Sequence, residues 1–274
     1  MTFSPGIKRG SILNNEQLCS RFGCSPYGGM RRSKKTETLV IVSNHVVSIY
    51  HDRWVDGIFH YTGMGQTGDQ SLTSTQNKTL AESDTNNVGV HLFEVDREGE
   101  YRYQGLVQLA ANPYQEMQPD QFQTDRYVWV FPLRLQEGSS VPVNKQEFHS
   151  SQVLREKKIK NLSDAELATK AQKAPKRAGE RTVTSTQYER DPYVSMLTKR
   201  RAKGICELCN CEAPFKDSKN QPYLETHHIK WIAENGDDSI ENTVALCPNC
   251  HRKMHILNLP SDREKLIQLR TNKN

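Results

Sequence analysis

Apolar and polar positions divide the chain into two regimes. From residue 38 to about residue 140, short apolar runs alternate with polar breaks that come too often for helices. Thr38–Ser43 is a β-branched run that reads as a buried strand. Val46–Tyr50, Gly57–Gly63, Gly89–Val95, Tyr101–Leu109 and Arg126–Leu133 continue the series, most with turn residues between them. A single helix is expected among them, around Ser71–Glu82. So many short strands with so little helix predict a barrel-like β domain ending near residue 140.

Past that point the period lengthens. Gln146–Lys158 has helical spacing, and Ser163 with Glu166 forms a capping box for a second helix, which the stretch 174–181 breaks. Asp191 followed by Pro192 reads as an N-cap and first-turn proline, opening a helix to about Ala202. The fold class expected is α+β in two domains. A β domain spans 1–140, a basic helical connector 141–190 and a C-terminal domain 191–274. The connector is too polar to be a domain of its own; a spacer and a dimerisation helix pair both fit it. There is no internal repeat.

Composition narrows the function classes. The 274 residues hold 35% hydrophobic and 25% charged side chains, with no apolar run of membrane-spanning length. The opening MTFSPGIKRG has no signal-peptide core, so a cytoplasmic protein with no membrane partner is expected. The net charge of +5 sits mainly in 144–190, where 11 basic residues face 6 acidic ones. Such a strip suits a run of phosphates, and equally a solvated linker helix.

Seven cysteines complete the picture. Cys206-x-x-Cys209 and Cys247-x-x-Cys250 are two knuckles that together offer four thiolates to one structural Zn²⁺. Cys211 competes with Cys209, but the two-residue gap favours Cys209; Cys19 and Cys24 are left over. Four thiolates saturate a zinc, so the histidines nearby need another explanation. His227 and His228 stand side by side, Asn242 follows in a loop, and His251 directly follows Cys250.

That order resembles the HNH (ββα-metal) nuclease motif over Tyr193–His255. The resemblance implies a hairpin of Glu225–Ile229 and Asn242–Leu246, then a helix opening after Cys247 with Pro248 in its first turn. It also implies roles. His228 is the general base for the attacking water, His227 and His251 hold a catalytic divalent cation (Mg²⁺ or Mn²⁺), and Asn242 holds the loop that aims His228. The chemistry agrees: imidazole titrates near neutrality, a cation offsets phosphate charge, and an amide pins a carbonyl without adding charge. His255, one turn after His251, reads as a solvated helix residue, with a phosphate contact or an added ligand as the alternative.

A second likeness lies upstream. The stretch 61–81 carries YTGMGQ, then GDQSL, then NKTLA, and resembles the signature of SRA domains. It extends over about residues 20–135. It implies a curved β-barrel that flips a modified cytosine out of duplex DNA and holds it between two aromatic rings. Tyr61 matches one ring and Tyr50 the other, with Asp52 as the carboxylate on the cytosine edge; Asp56 competes for that part because the spacing is one residue short. Trp54 reads as packing. Arg31, Arg32 and Ser33 are candidates to grip phosphate, against the default of an exposed charge cluster.

Together the two likenesses imply a modification-dependent restriction endonuclease that reads 5-methylcytosine or 5-hydroxymethylcytosine in double-stranded DNA and cuts nearby. One HNH site cuts one strand, so double-strand cleavage calls for a homodimer or two binding events. The rivals are an HNH nuclease whose barrel reads another mark or none, and a DNA reader whose zinc module is only structural.

Overall fold

A computed structural model describes residues 3–46, 50–122, 124–174 and 176–271. The chain forms two compact units, divided between Ser185 and Thr186. No helix among the described residues is long and apolar enough to cross a membrane.

The first unit runs β1 (Ile12–Leu13), α1 (Asn15–Phe22), β2 (Met30–Ser33), β3 (Thr38–Asn44), β4 (Arg53–Val55), β5 (Ile58–Thr62), α2 (Thr75–Ala81), β6 (Gly89–Arg97), β7 (Glu100–Leu109), β8 (Tyr114–Pro119), β9 (Asp125–Leu135), β10 (Val143–Asn144), α3 (Lys145–Ile159), α4 (Asp164–Lys173) and β11 (Val183–Thr184). Nine strands form one sheet in the order β2-β3-β6-β7-β9-β5-β4, with β1 on β7 and β8 on β9. Among the described residues, only β3 and β6 pair in parallel within it. The described terminal strands β2 and β4 do not pair with each other.

β3 shows why its centre, Leu39 to Val42, is apolar at every position. Leu39 and Ile41 enter one core with Phe59, Leu92 and Phe131, while Val40 and Val42 enter a second with Phe22, Phe93 and Tyr103. Alternate side chains of a strand point to opposite faces, so a strand covered on both sides must be apolar at every position. The second core is closed by α1, which contributes Leu18 and Phe22. α1 was not expected, although its signals stand in the sequence. Asn14 and Gln17 form a reciprocal capping box, and Gly23 closes the helix at φ 62°, where glycine carries no Cβ penalty. Of the expected strand Val46–Tyr50, residues 47–49 lie outside the described residues, and neither Val46 nor Tyr50 is in a strand.

The segment expected to be a connector folds back onto the first unit. β10 pairs in parallel with β11, α3 packs against β6, and Glu180 bridges to Trp54. Electrostatics explains the return. β6 buries Glu94 and Asp96 beside Phe93 and Val95, and Arg181 forms ion pairs with both. Buried carboxylates need such a partner. The division between compact units thus falls at Ser185/Thr186 and not near residue 140.

The second unit holds α5 (Pro192–Ala202), β12 (Glu225–His228), β13 (Thr243–Leu246), α6 (Pro248–Leu257) and α7 (Pro260–Thr271). β12 and β13 form an antiparallel hairpin that pairs His227 with Val244 and His228 with Thr243. Leu224, Val244, Leu246, Met254 and Leu266 form its core. Within this core Glu207 accepts from the Ala245 N–H at 2.8 Å and from Arg270 at 2.7 Å.

Candidate functional site

The second unit brings two groups of donor atoms together. The Sγ atoms of Cys206, Cys209, Cys247 and Cys250 all lie within 4.8 Å of one another, and Cys211 is not among them. Its thiol instead contacts the Cys209 carbonyl. One donor nitrogen each from His227, His251 and His255 forms a second group within the same 4.8 Å. Both sets fit a bound cation: four thiols in a closed shell, three imidazoles in an open one. His255, read from the sequence as a solvated residue, therefore joins the imidazoles while its own surface stays exposed.

Local structure explains the imidazole group. β12 ends with His227 and His228 pointing to opposite faces, as successive strand residues must. α6 supplies His251 and His255 one turn apart on one face. The His227 Nε2 is buried without a hydrogen-bond partner. Burial first, then the neighbouring His251 and His255, pushes His227 down to about 3, so the ring is neutral and its lone pair available. Glu225 holds His251 at Nδ1, leaving Nε2 3.1 Å from the Nε2 of His255. A carboxylate behind a ligating imidazole fixes its tautomer and orientation.

His228 is held on the other side. Its Nε2 lies 2.8 Å from the Asp238 Oδ1, and the Asp238 Oδ2 accepts the Asp191 N–H at 2.6 Å. Those two contacts, the backbone N–H first, hold the Asp238 carboxyl below its ordinary value. The side-chain amide of Asn242 donates to the carbonyls of Lys230 at 2.9 Å and Asp237 at 2.7 Å, and its Oδ1 accepts the Lys230 N–H at 2.9 Å. Asn242 thus spans the hairpin loop that carries Asp238. A cleft of about 250 Å³ takes in His227, His228, His251, His255, Trp231 and Arg190. Asp238 and Glu225 escaped the sequence reading because neither belongs to the spaced motif. Their contacts depend on the hairpin's register and its packing on α6.

The first unit carries a cleft of about 610 Å³ lined by Tyr50, His51, Asp52 and Arg53 on one wall and by α3 and residues 177–181 on another. Tyr50 donates to the Gly65 carbonyl at 2.9 Å, and the Arg126 guanidinium lies 5.9 Å from its ring centre. Asp52 Oδ1 accepts the Thr62 N–H at 2.8 Å. Burial raises the Asp52 carboxyl, with the Thr62 N–H opposing. Asp56 is engaged elsewhere, in an exposed ion pair with Arg177.

Tyr61 does not line the cleft. It is 3% exposed, packs in the core with Phe59, and donates to the Gly29 carbonyl at 2.9 Å. The rest of the signature proves to be scaffold. Asn77 accepts the Met64 N–H at 2.8 Å and donates to the Met64 carbonyl, while Gln70 joins the Gly63 carbonyl at 2.7 Å to the Trp129 N–H at 2.9 Å. A Cβ on Gly63 would meet Asn77 Oδ1 at 2.7 Å, which accounts for that glycine. The expected phosphate grip at Arg31, Arg32 and Ser33 is not displayed. Arg31 is buried against Gly28 and Asn15, Arg32 pairs with Glu37, and Ser33 is 2% exposed. Trp54 is packing, as expected, with its indole N–H on Glu94 at 3.2 Å.

Residues 9–153 match the family model described as ScoMcrA-like, SRA domain, and residues 206–256 match that of the HNH endonucleases. The chain is similar to the type IV methyl-directed restriction enzyme EcoKMcrA of Escherichia coli (strain K12), 48% identical over 68 residues, which are 25% of this chain and 24% of that protein. The match thus spans about a quarter of the curated relative. Among solved structures, the type IV phosphorothioation-dependent restriction endonuclease ScoMcrA is 17% identical over 97% of this chain and 61% of its own, with a TM-score of 0.41. The modification-dependent TagI restriction endonuclease is 20% identical over 93% and 80%, with a TM-score of 0.39.

Proposed function

This chain belongs to the family of ScoMcrA-like SRA domains and carries an HNH endonuclease domain at 206–256, and on that premise we propose that it is a modification-dependent DNA endonuclease. It reads 5-methylcytosine or 5-hydroxymethylcytosine as a flipped base in its first unit and hydrolyses phosphodiester bonds with its second. The observation that carries this reading is the pairing of His228 with Asp238 beside the His227, His251 and His255 group. A binding module has no use for an oriented imidazole next to an open donor set.

His227, His251 and His255 would hold a divalent cation, and Cys206, Cys209, Cys247 and Cys250 a structural zinc. A divalent cation supplies charge neutralisation at the scissile phosphate and the leaving oxygen. The chain's own residues do the rest. His228 takes the proton of the attacking water, Asp238 fixes its ring, and Asn242 holds the loop on which Asp238 rides. Arg190, which lines the same cleft, faces the phosphate charge.

In the first unit, Asp52 accepts from the exocyclic amine of cytosine and Tyr50 stacks on the ring. The test is digestion of one plasmid prepared unmodified, 5-methylated, 5-hydroxymethylated and phosphorothioated, with and without added divalent cation. The reading requires cation-dependent cleavage of a cytosine-modified form in preference to the unmodified one. Equal cleavage of all four forms removes the reader role; no cleavage of any removes the nuclease.

A further inference from the structure

We infer that α3 carries a phosphate-binding pair, Arg155 and Lys158, at the mouth of the Tyr50–Asp52 cleft. The inference rests on the proposed reading that this cleft receives a nucleotide. Phe148, Gln152, Arg155 and Ile159 all line the cleft, and their spacing of four, three and four residues places them on one stripe of α3, with Lys158 beside it. Helix α3 therefore forms a wall of the cleft, and Arg155 and Lys158 stand on that wall as exposed side chains.

Charge pairing singles these two out. Five basic residues line the cleft: Arg53, Arg155, Lys158, Arg177 and Arg181. Arg53 is paired with Glu116, Arg177 with Asp56, and Arg181 with Glu94 and Asp96. Among the described residues, Arg155 and Lys158 have no carboxylate within ion-pair distance. Backbone holds them instead: Arg155 Nε donates to the His45 carbonyl at 2.9 Å and Lys158 Nζ to that of Val46. The cations are thus fixed in place by backbone carbonyls and not by a direct ion pair; Asp96 reaches Arg155 only through space. An arginine fork and a lysine point charge both suit phosphate oxygens. The basic excess of residues 144–190 then has a local purpose, and the grip expected from Arg31, Arg32 and Ser33 is relocated.

Contacts to phosphate carry no base information, so their removal weakens all duplexes alike. The experiment uses the full chain without added divalent cation. Binding to two duplexes differing only in one 5-methylcytosine is measured over a series of KCl concentrations, for wild type, for Arg155→Ala/Lys158→Ala and for Arg155→Gln/Lys158→Gln. Expected is a roughly tenfold loss of affinity for both duplexes, with the slope of log K against log salt shallower by about 1.8 and the preference ratio unchanged. The glutamine pair removes the charge but keeps a polar side chain with the stem out to Cδ, so the same result there separates loss of charge from loss of the packed stem. Wild-type affinity and slope in the glutamine pair would overturn the inference, as would loss of the preference alone. Absence of preference in wild type would strike the reader role, while the salt slope still decides the phosphate pair.

Discussion

Arg181→Met asks whether the returning segment is part of the first unit's stability or merely lies upon it. Arg181 pairs with Glu94 and Asp96, and Glu94 is 0% exposed. Glu94 also meets His45 Nε2 at 2.8 Å and the Trp54 indole N–H at 3.2 Å. Burial by itself would raise the Glu94 carboxyl; Arg181, His45 and Trp54 outweigh it and bring it down from 4.5 to about 2. That depression of about 2.5 units corresponds to about 3 kcal/mol, within the 3–5 kcal/mol typical of breaking one side of a buried pair. Because the folded value lies below the unfolded one, this stability is present above about pH 4.5 and is lost as pH falls towards 2.

In the variant the burial stays and the guanidinium goes, so the Glu94 carboxyl moves up. The deficit is therefore largest near neutral pH, at about 3–5 kcal/mol, and shrinks as acid neutralises Glu94. Urea unfolding of the full chain at about pH 7 and about pH 4, followed by tryptophan fluorescence, measures both. A loss below about 1 kcal/mol at neutral pH, or one equal at the two pH values, refutes the reasoning. A practical corollary follows for fragments. A reader ending near residue 140 would leave Glu94 and Asp96 without Arg181, so the piece to express runs through Ser185.

Three further outcomes are expected. His228→Ala lowers cleavage by roughly 10²–10⁴-fold and Asp238→Asn by a smaller factor, both with unchanged DNA affinity; single-turnover rates at saturating enzyme separate the two quantities, and a wild-type rate for Asp238→Asn removes its positioning role. Metal analysis should find about one tightly held zinc per chain, lost in Cys206→Ser together with the folding of the second unit; zinc-free active protein contradicts the four-thiol assignment. Asp52→Ala weakens binding to methylated duplex by about tenfold, or about 1.4 kcal/mol, and reduces the preference over unmodified duplex; an unchanged ratio in a competition assay rules Asp52 out of base reading.

What was legible in the sequence is what one stretch of chain decides for itself. The apolar run of β3, the capping box at Ser163 and Glu166, and the Asp191–Pro192 helix start are local signals, and the structure shows each. The order of His227, His228, Asn242 and His251 located the hairpin and helix of the second unit. Features fixed by partners far along the chain were not legible. Among the described residues β8 pairs with β9 alone, as a polar edge strand, so no apolar run announced it. Tyr61 and the residues around it matched a signature, yet the fold uses most of them to pin a loop, and only packing distinguishes that from contact with a ligand. The destination of residues 143–185 was hidden too, although two carboxylates alternating with Phe93 and Val95 in β6 were a sign that a cation must arrive from elsewhere.

The four-cysteine cluster has a meaning in chain entropy as well as in ligation. Cys209 and Cys247 enclose 37 residues, among them His227, His228, Asp238 and Asn242. Closing a loop of that length costs an open chain about 3 kcal/mol. With an ion shared between the two knuckles, that cost is met once for the whole segment, and the unfolded ensemble is restricted as it would be by a disulfide. Such a crosslink would survive where thiols stay reduced, and a chelator would withdraw it. Every residue proposed to act on the water proton would then be tethered at both ends by one removable bond set, and the supply of metal to the cysteines would govern whether the histidines meet at all.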